Sequence, residues 1–340
     1  MNASADGRGR SASDVLGADV VGLLRREGVA IDATADAEPL TGGVSSDIWR
    51  IATATGSVCV KRALPTLRTA VDWTAPVSRS ASEARWLIDA AAVRPDLVPN
   101  VLAFAEEPGV LVLEYLDPAD WTQWKAQLLA GDVTVEVAAR LGTALGDVHR
   151  SMVGERERYR NDELFAALRL EPYIRYTAAH HPAIAAQLEE LDDGFDVAAS
   201  TVVHGDVSPK NVLVGPDRVI LLDAECATWG DPAFDLGFFL THLCAKAVHL
   251  PAARSALRAC AHAYVAGYDG AEADGSAAER SSRAARWLPA ILLARVDGRS
   301  PLEYLTDDER ATVRAQAICM LGDPETDLAS ALDTWFASVP

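Results

Sequence analysis

The sequence predicts a two-part α+β fold, bilobal, with a small β-rich part followed by a larger helical part. Three observations carry that prediction. The chain has 340 residues, more than one hydrophobic core usually serves, so two lobes are expected. Strand-like apolar runs dominate up to about residue 114, and apolar stripes at helical spacing dominate after it. Apolar residues make up 49% of the chain and charged residues 24%, so it can bury a sizeable core.

Taken in order, residues 1–12 are small and polar and are expected to form a disordered tail. A helix is predicted from Ser13 to Arg26, ended by Gly28. Ile48 to Ala52 and Ser57 to Lys61 read as two strands joined at Thr55-Gly56. A helix follows over Ser80 to Ala92, with Ala84, Leu87, Ile88 and Ala91 at helical spacing. Val101 to Ala105 and Val110 to Glu114 form a second strand pair around Pro108-Gly109. The first lobe should cover residues 13–114 and the second residues 115–340. In the second, Val137, Leu141, Leu145 and Val148 mark a helix, and further helices are expected around 163–170 and 182–191. Two short strands, Asn211 to Val214 and Val219 to Leu222, flank Gly215-Pro216-Asp217. The remainder reads as helical, interrupted by a loop at about 269–281.

The charge is lopsided, with 49 acidic residues against 31 basic and a formal net of −18. Such a surface repels phosphate backbones and anionic lipid heads, which argues against nucleic acid or membrane-surface partners. It favours a cationic small molecule. The five cysteines are odd in number and none has C-x-x-C spacing, so neither a disulfide framework nor a zinc site is expected and a reducing cytoplasm is the natural home. No apolar leader and no membrane span is read in the sequence.

The most informative stretch is His204-Gly205-Asp206-Val207-Ser208-Pro209-Lys210-Asn211, followed after a hairpin by Asp223-Ala224-Glu225. The spacing suits phosphoryl transfer to an alcohol. One carboxylate must orient the hydroxyl and accept its proton, while an amide oxygen and a second carboxylate hold a cation against nucleotide phosphates. The hairpin should bring Asn211 and Asp223 together. Lys61, ending the strand Val58-Cys59-Val60-Lys61, has the V-x-V-K arrangement of a phosphate-binding lysine. Glu83, on the following helix, is its expected partner. In the turn Thr41 to Asp47, Gly43 permits close backbone approach, and Ser45 and Ser46 can donate to phosphate oxygens.

These motifs resemble those of the aminoglycoside phosphotransferase and choline kinase-like small-molecule kinases, which share the protein kinase-like fold. The resemblance runs from about residue 40 to residue 236. It implies ATP and Mg2+ as cofactors, a nucleotide-binding first lobe, and a second lobe that is catalytic and binds the acceptor. It implies Asp206 as catalytic base, Asn211 and Asp223 as metal ligands, and His204 and Asp235 as structural support of the catalytic loop. It also places the backbones of Glu114 and Leu116 at the adenine edge. His204-Gly205-Asp206 and Asp223-Ala224-Glu225 stand where protein kinases typically carry H-R-D and D-F-G. Asp223 to Asp235 is also short for an activation segment, so protein phosphorylation is the weaker reading. An inactive nucleotide-binding module would be expected to lose one of Lys61, Asp206, Asn211 or Asp223, and all four are present.

The acceptor side is less legible. Arg169 and Tyr173, with Arg175 and Tyr176, form one polar-aromatic cluster, and Arg295 and Asp297, with Arg299, form another. Glu225 is placed to assist a metal or to contact the acceptor. The arginines favour an anionic acceptor, and the acidic bulk charge a cationic one.

Overall fold

The computed structural model describes residues 10–40, 45–68, 75–270 and 276–339. The chain divides into two compact units. One comprises Met1–Ile88 and Pro99–Pro118, the other Asp89–Val98 and Ala119–Pro340.

The first unit is built on a six-stranded antiparallel sheet. Its strands are β1 (Arg10–Ser11), β2 (Asp36–Pro39), β3 (Ser46–Thr53), β4 (Gly56–Ala63), β5 (Val101–Ala105) and β6 (Val110–Glu114), in the spatial order β1-β2-β3-β4-β6-β5. Arg10 and Ser11 lie within the stretch expected to be a disordered tail, yet they pair with Ala37 and Asp36. Ser11 then caps α1 (Ala12–Leu16): its hydroxyl accepts the Asp14 N–H at 3.2 Å, and the Asp14 carboxylate accepts the Ser11 N–H at 2.9 Å. The expected single helix is two, because Gly17 at φ 88° separates α1 from α2 (Ala18–Arg26). Val21 and Leu24 of α2 pack with Ile31, Ile51, Val60 and Val112 in the core of this unit.

The β3–β4 register pairs Thr53 with Gly56, so the connecting turn is Ala54-Thr55 rather than Thr55-Gly56, and Gly56 opens β4 at φ 147°. Helix α3 (Arg79–Val93) begins in this unit. Its last residues and those up to Val98 belong with the second unit, although the sequence grouped them with the first. The reason is local bonding: Arg94 Nη1 donates to Asp147 at 2.7 Å, and the Leu97 carbonyl accepts the Leu221 N–H at 2.7 Å.

The second unit is mainly helical. Its early elements are β7 (Thr122–Gln123), α4 (Trp124–Leu129), α5 (Val135–Ser151), α6 (Arg156–Tyr159) and α7 (Asp162–Phe165). A π-helical segment, Ala166–Arg175, continues α7 into α8 (Tyr176–His180). It contains Pro172, which lacks an N–H for the α-ladder, so the wider turn fits the sequence there. Helix α9 (Ala185–Val197) precedes β8 (Thr201–Val203), β9 (Val212–Val214), β10 (Val219–Leu221) and β11 (Thr228–Gly230). The chain then forms α10 (Pro232–His249), α11 (Arg254–Asp269), α12 (Ser276–Asp297), α13 (Asp307–Gly322) and α14 (Leu328–Ser338). The loop expected at 269–281 is shorter, since Asp269 ends α11 and Ser276 begins α12.

Two features of this unit position the site. Every residue of α10 from Pro232 to Val248 is buried, so it is the central helix. Helices α5 and α11 approach until backbones touch, because a Cβ on Gly142 would lie 2.1 Å from the Tyr264 carbonyl oxygen and one on Gly267 would lie 2.4 Å from that of Ala139. Only glycine permits that approach.

Candidate active site

The strand β8 delivers the chain into the loop His204–Ser208. Gly205 sits at φ 76°, and a Cβ there would lie 2.9 Å from Cys226 Cβ, so the motif needs glycine for conformation and for space. The loop is held from beneath by Asp235, on the first turn of α10 and fully buried. One Asp235 oxygen accepts the His204 N–H at 2.7 Å and the other accepts the Gly205 N–H at 2.8 Å. His149 Nε2 lies 3.2 Å from the same carboxylate, and His149 Nδ1 lies 2.8 Å from the Tyr268 hydroxyl. His149 of α5 and Tyr268 of α11 thus join the carboxylate that shapes the loop to the glycine-mediated α5–α11 contact. His204 is fully buried, and burial holds its imidazole below the ordinary value. A neutral ring suits its geometry, because His204 Nδ1 accepts the Asp206 N–H at 3.1 Å.

Asp206 is almost fully buried, and three side chains converge on its Oδ2. Asn211 Nδ2 donates at 2.9 Å, Lys210 Nζ lies at 3.0 Å and Arg169 Nη2 at 3.1 Å. Burial alone would raise this carboxyl, but Lys210 and Arg169 outweigh it and hold the value below that of an ordinary aspartate. Arg169 comes from the π-helical segment and also donates to the Gly205 carbonyl.

Asn211 and Asp223 are brought close by the β9–β10 hairpin. Val212 pairs with Leu221, and the next bond outward runs from the Leu222 N–H to the Asn211 carbonyl at 2.8 Å. Asp223 follows at φ 70°, the one non-glycine residue in the left-handed region among the described residues. Such an outlier is held by its surroundings at a cost of about 1–3 kcal/mol. Asn211 turns its NH2 toward Asp206, which leaves its amide oxygen as an acceptor. The donor set of Asn211 and Asp223 is all oxygen and fits a hard divalent cation completed by phosphate and water oxygens. Glu225 is buried two residues further on.

In the first unit, Lys61 of β4 and Glu83 of α3 form a buried pair. Lys61 Nζ lies 2.9 Å from Glu83 Oε1 and 2.8 Å from Oε2, with the two side chains 10% and 4% exposed. Ser45 and Ser46 are buried, and Ser46 Oγ makes no hydrogen bond among the described residues. Gly43 lies outside the described residues. Glu114 ends β6 opposite Val58, its N–H donating to the Asn100 carbonyl at 3.0 Å, and Leu116 follows half-buried. Sequence reasoning did not single out Arg79, which is fully buried and donates to the carbonyls of Ser45 and Leu64, both at 2.5 Å. No motif marks it. It pins the end of the loop that carries the two serines.

The proposed acceptor residues divide. Arg169, Tyr173 and Arg295 are gathered in one place: Arg295 Nη1 donates to the Tyr173 hydroxyl at 3.1 Å, and Arg169 lies 5.7 Å from the Tyr173 ring. Asp297 does not join them as a ligand-facing group. It accepts from Arg314 Nε at 2.7 Å and lies 2.9 Å from His181 Nε2, tying α12 to α13. Arg175 pairs with Glu171 and Asp192 on an exposed face. Lys210 and His149 were missed as site residues. Lys210 was readable as four residues after Asp206, whereas nothing in the sequence ties His149 to Asp235.

A loop of this shape, with a carboxylate gripped by cations and an acid-amide pair across a hairpin, defines a class. It is that of kinase-like phosphotransferases on an α+β frame, a β-sheet N-terminal part and a helical C-terminal part. The model of the phosphotransferase enzyme family matches residues 36–274. The chain belongs to that family. It is similar to methylthioribose kinase of Yersinia enterocolitica, with 27% identity over 267 residues covering 69% of this chain and 66% of that protein. It is also similar to methylthioribose kinase of Pectobacterium carotovorum, with 27% identity over 246 residues covering 63% and 61%. The chain thus spans a little under two thirds of the length of these relatives. Among solved structures, an amicoumacin kinase in complex with AMP-PNP, Ca2+ and Ami superposes with a TM-score of 0.53 at 16% identity, over 90% of this chain and 93% of that one. A choline/ethanolamine kinase family protein from Mesorhizobium loti gives 0.50 at 18% identity, over 89% and 93%. These two show the fold. No helix among the described residues is long and apolar enough to cross a membrane.

Proposed function

We propose that this protein transfers the γ-phosphoryl group of ATP to a hydroxyl of a small molecule. The observation that carries this reading is the buried Asp206 carboxylate, whose Oδ2 is held by Arg169, Lys210 and Asn211. A carboxylate held below its ordinary value stays ionised at neutral pH and serves better to orient a hydroxyl than to strip it early. That suits a loose phosphoryl-transfer transition state, in which the proton leaves late. As the acceptor oxygen bonds to the γ-phosphorus, the bond from that phosphorus to the β–γ bridging oxygen breaks. The hydroxyl proton passes to the Asp206 carboxylate, and ADP leaves.

Mg2+, when bound, would neutralise charge on the nucleotide phosphates, and Asn211 and Asp223 are the residues that would hold it. Lys61, kept extended by Glu83, would bind nucleotide phosphates, and the Ser46 hydroxyl, buried without a bond among the described residues, is available as a donor. Glu114 and Leu116 would offer backbone groups to the adenine. His204 and Asp235 would preorganise the loop. The acceptor is a hydroxylated metabolite or antibiotic, a class to which the names of the relatives also point. All five cysteines are free thiols, which suits a reducing cytoplasm.

The test is an ADP-release screen with Mg-ATP against sugars, amino alcohols and aminoglycosides, with calorimetry on Asp223→Ala. We expect turnover on at least one alcohol and weakened Mg-dependent nucleotide binding in the variant. Unchanged Mg-ATP affinity with full activity in Asp223→Ala removes Asp223 as metal ligand.

A further inference from the structure

The second unit contains a group of buried basic side chains that the transfer chemistry leaves unused. His242 and Lys246 lie four residues apart on α10 and so share one face of this fully buried helix. Lys246 is only 1% exposed, and its Nζ lies 4.9 Å from the centre of the Tyr304 ring. Arg295, on α12, is buried too, and its charge bears on both. Among the described residues no carboxylate pairs with Lys246, His242 or Arg295. The carboxylate whose charge bears on Lys246 is Glu303, which is 66% exposed and already paired with Lys125 of α4. Several polar atoms here are buried without a hydrogen bond among the described residues: His242 Nε2, Arg295 Nε and the Tyr304 hydroxyl. Buried cations normally come with a paired anion, because desolvating a lone charge is unfavourable.

This group is linked to the catalytic aspartate through two side chains. Arg169 reaches Asp206 at 3.1 Å and lies 5.7 Å from the Tyr173 ring, and the Tyr173 hydroxyl accepts from Arg295 at 3.1 Å. Lys210, at Asp206, also bears electrostatically on His242.

We infer that this cluster is an anion subsite for the acceptor: the hydroxylated substrate carries a carboxylate or phosphate group that pairs with Lys246, beside His242, Arg295 and Tyr304. The inference rests on the phosphotransfer reading for the word acceptor, but not for the anion site itself. It reverses the sign that the bulk acidity suggested, because the charge of the whole surface is screened over about 8 Å at physiological salt while a buried group acts undiluted. Burial, first, with Lys125 and Arg295, pushes Lys246 down to about 7, so it is poised between charged and neutral at physiological pH. An arriving anion would restore its proton.

The experiment titrates the full-length protein with gluconate and with glycerol 3-phosphate, each matched to its neutral alcohol, glucose or glycerol, at constant ionic strength. Calorimetry at pH 8 in buffers of different ionisation heat reads both affinity and proton uptake. The wild type should bind at least one of the two anions at least about tenfold tighter than its neutral match, with proton uptake. Gluconate and glycerol 3-phosphate separate a carboxylate from a phosphate preference. Lys246→Met should lose about tenfold or more of that affinity together with the proton uptake, while Mg-ATP affinity stays within a few-fold and shows that the variant is folded. His242→Leu gives a second reading of the same site if Lys246→Met does not fold. Wild-type protein that binds neither anion better than its neutral match, or variants that bind as the wild type does, overturns the subsite. Phosphorylation of glucose or glucosamine without anion binding keeps the phosphotransferase reading and removes this one. Anion binding that depends on Lys246, with no alcohol phosphorylated, does the reverse.

Discussion

Two buried lysines, one in each unit, are handled in opposite ways. Lys61 of the first unit is 8% exposed and pairs with the Glu83 carboxylate at 2.8 Å. Lys246 of the second is 1% exposed and faces an aromatic ring, with no carboxylate paired to it among the described residues. The fold itself neutralises the first. The second waits on either loss of its proton or the arrival of an anion. The same contrast holds within the second unit, where Asp206 has cationic partners in Arg169 and Lys210 while, among the described residues, no carboxylate pairs with Lys246 or Arg295. A carboxylate beside a buried cation marks a residue that the protein keeps charged at all times. Its absence marks one whose charge depends on conditions.

The sharpest way to break the contrast is to remove the anion from the balanced cluster. Asp206→Asn should cut kcat by about 10²–10⁴-fold, the usual worth of a positioned base, with nucleotide affinity within a few-fold. Steady-state kinetics with nucleotide calorimetry checks this, and turnover like the wild type's would remove Asp206 from the chemistry. A second comparison sets the two lysines against each other. Glu83→Gln leaves Lys61 buried without a full counter-charge and should cost about 3–5 kcal/mol of stability. Lys246→Met removes a lone buried cation and should leave stability unchanged or raise it by about 1–4 kcal/mol. Urea denaturation of both variants decides. Destabilisation of the Lys246 variant as large as that of the Glu83 variant would mean that the two lysines are equally compensated.

A third prediction concerns pH. Lys246 stands at about 7 in the folded chain against about 10.4 when unfolded. Between these values the unfolded chain binds the extra proton, so wild-type stability should rise with pH through that window. Below about pH 7 both states are protonated, and the cost of burying the charge is complete. The difference in Tm between wild type and Lys246→Met, followed from pH 6 to 10, isolates this lysine from other groups. A pH-independent difference would show that Lys246 is not desolvated as its burial implies. The smallest effect is expected at Arg169. Burial raises the Asp206 carboxyl, and Lys210 and Arg169 hold it down, so Arg169→Met should move the acid limb of the pH–rate profile upward by about 1 unit. The limb moves up because a carboxylate with a higher pKa is protonated sooner as pH falls. An unmoved limb would mean that Lys210 alone sets the value.

Much of the molecule was legible in the sequence. Apolar runs and helical spacing located β3 to β6, α3 and α5, although β6 is buried on both faces and Ile88 of the predicted α3 stripe is exposed. The spacing of His204, Asp206, Asn211 and Asp223 was readable because catalytic geometry along a loop and a hairpin is local in sequence. Lys61 and Glu83 were readable as neighbours of that motif by resemblance. The break at Gly17 and the π-helical turn around Pro172 were not, since both depend on how a helix is packed. Whether a charge has a partner was not legible either. His149 and Asp235 are 86 residues apart, and Arg295 and Tyr173 are 122 apart. The sequence marked the stretch of α10 only as helical, and not that its one lysine would be buried with no carboxylate paired to it among the described residues.

Sequence by itself thus determined the class of chemistry, since residue type and short-range spacing specify what a loop can do. Only the tertiary structure decided which charges are compensated. The physical reason is that the net charge of −18 is a property of the surface, screened by water and salt, whereas binding depends on a few desolvated groups that packing brings together.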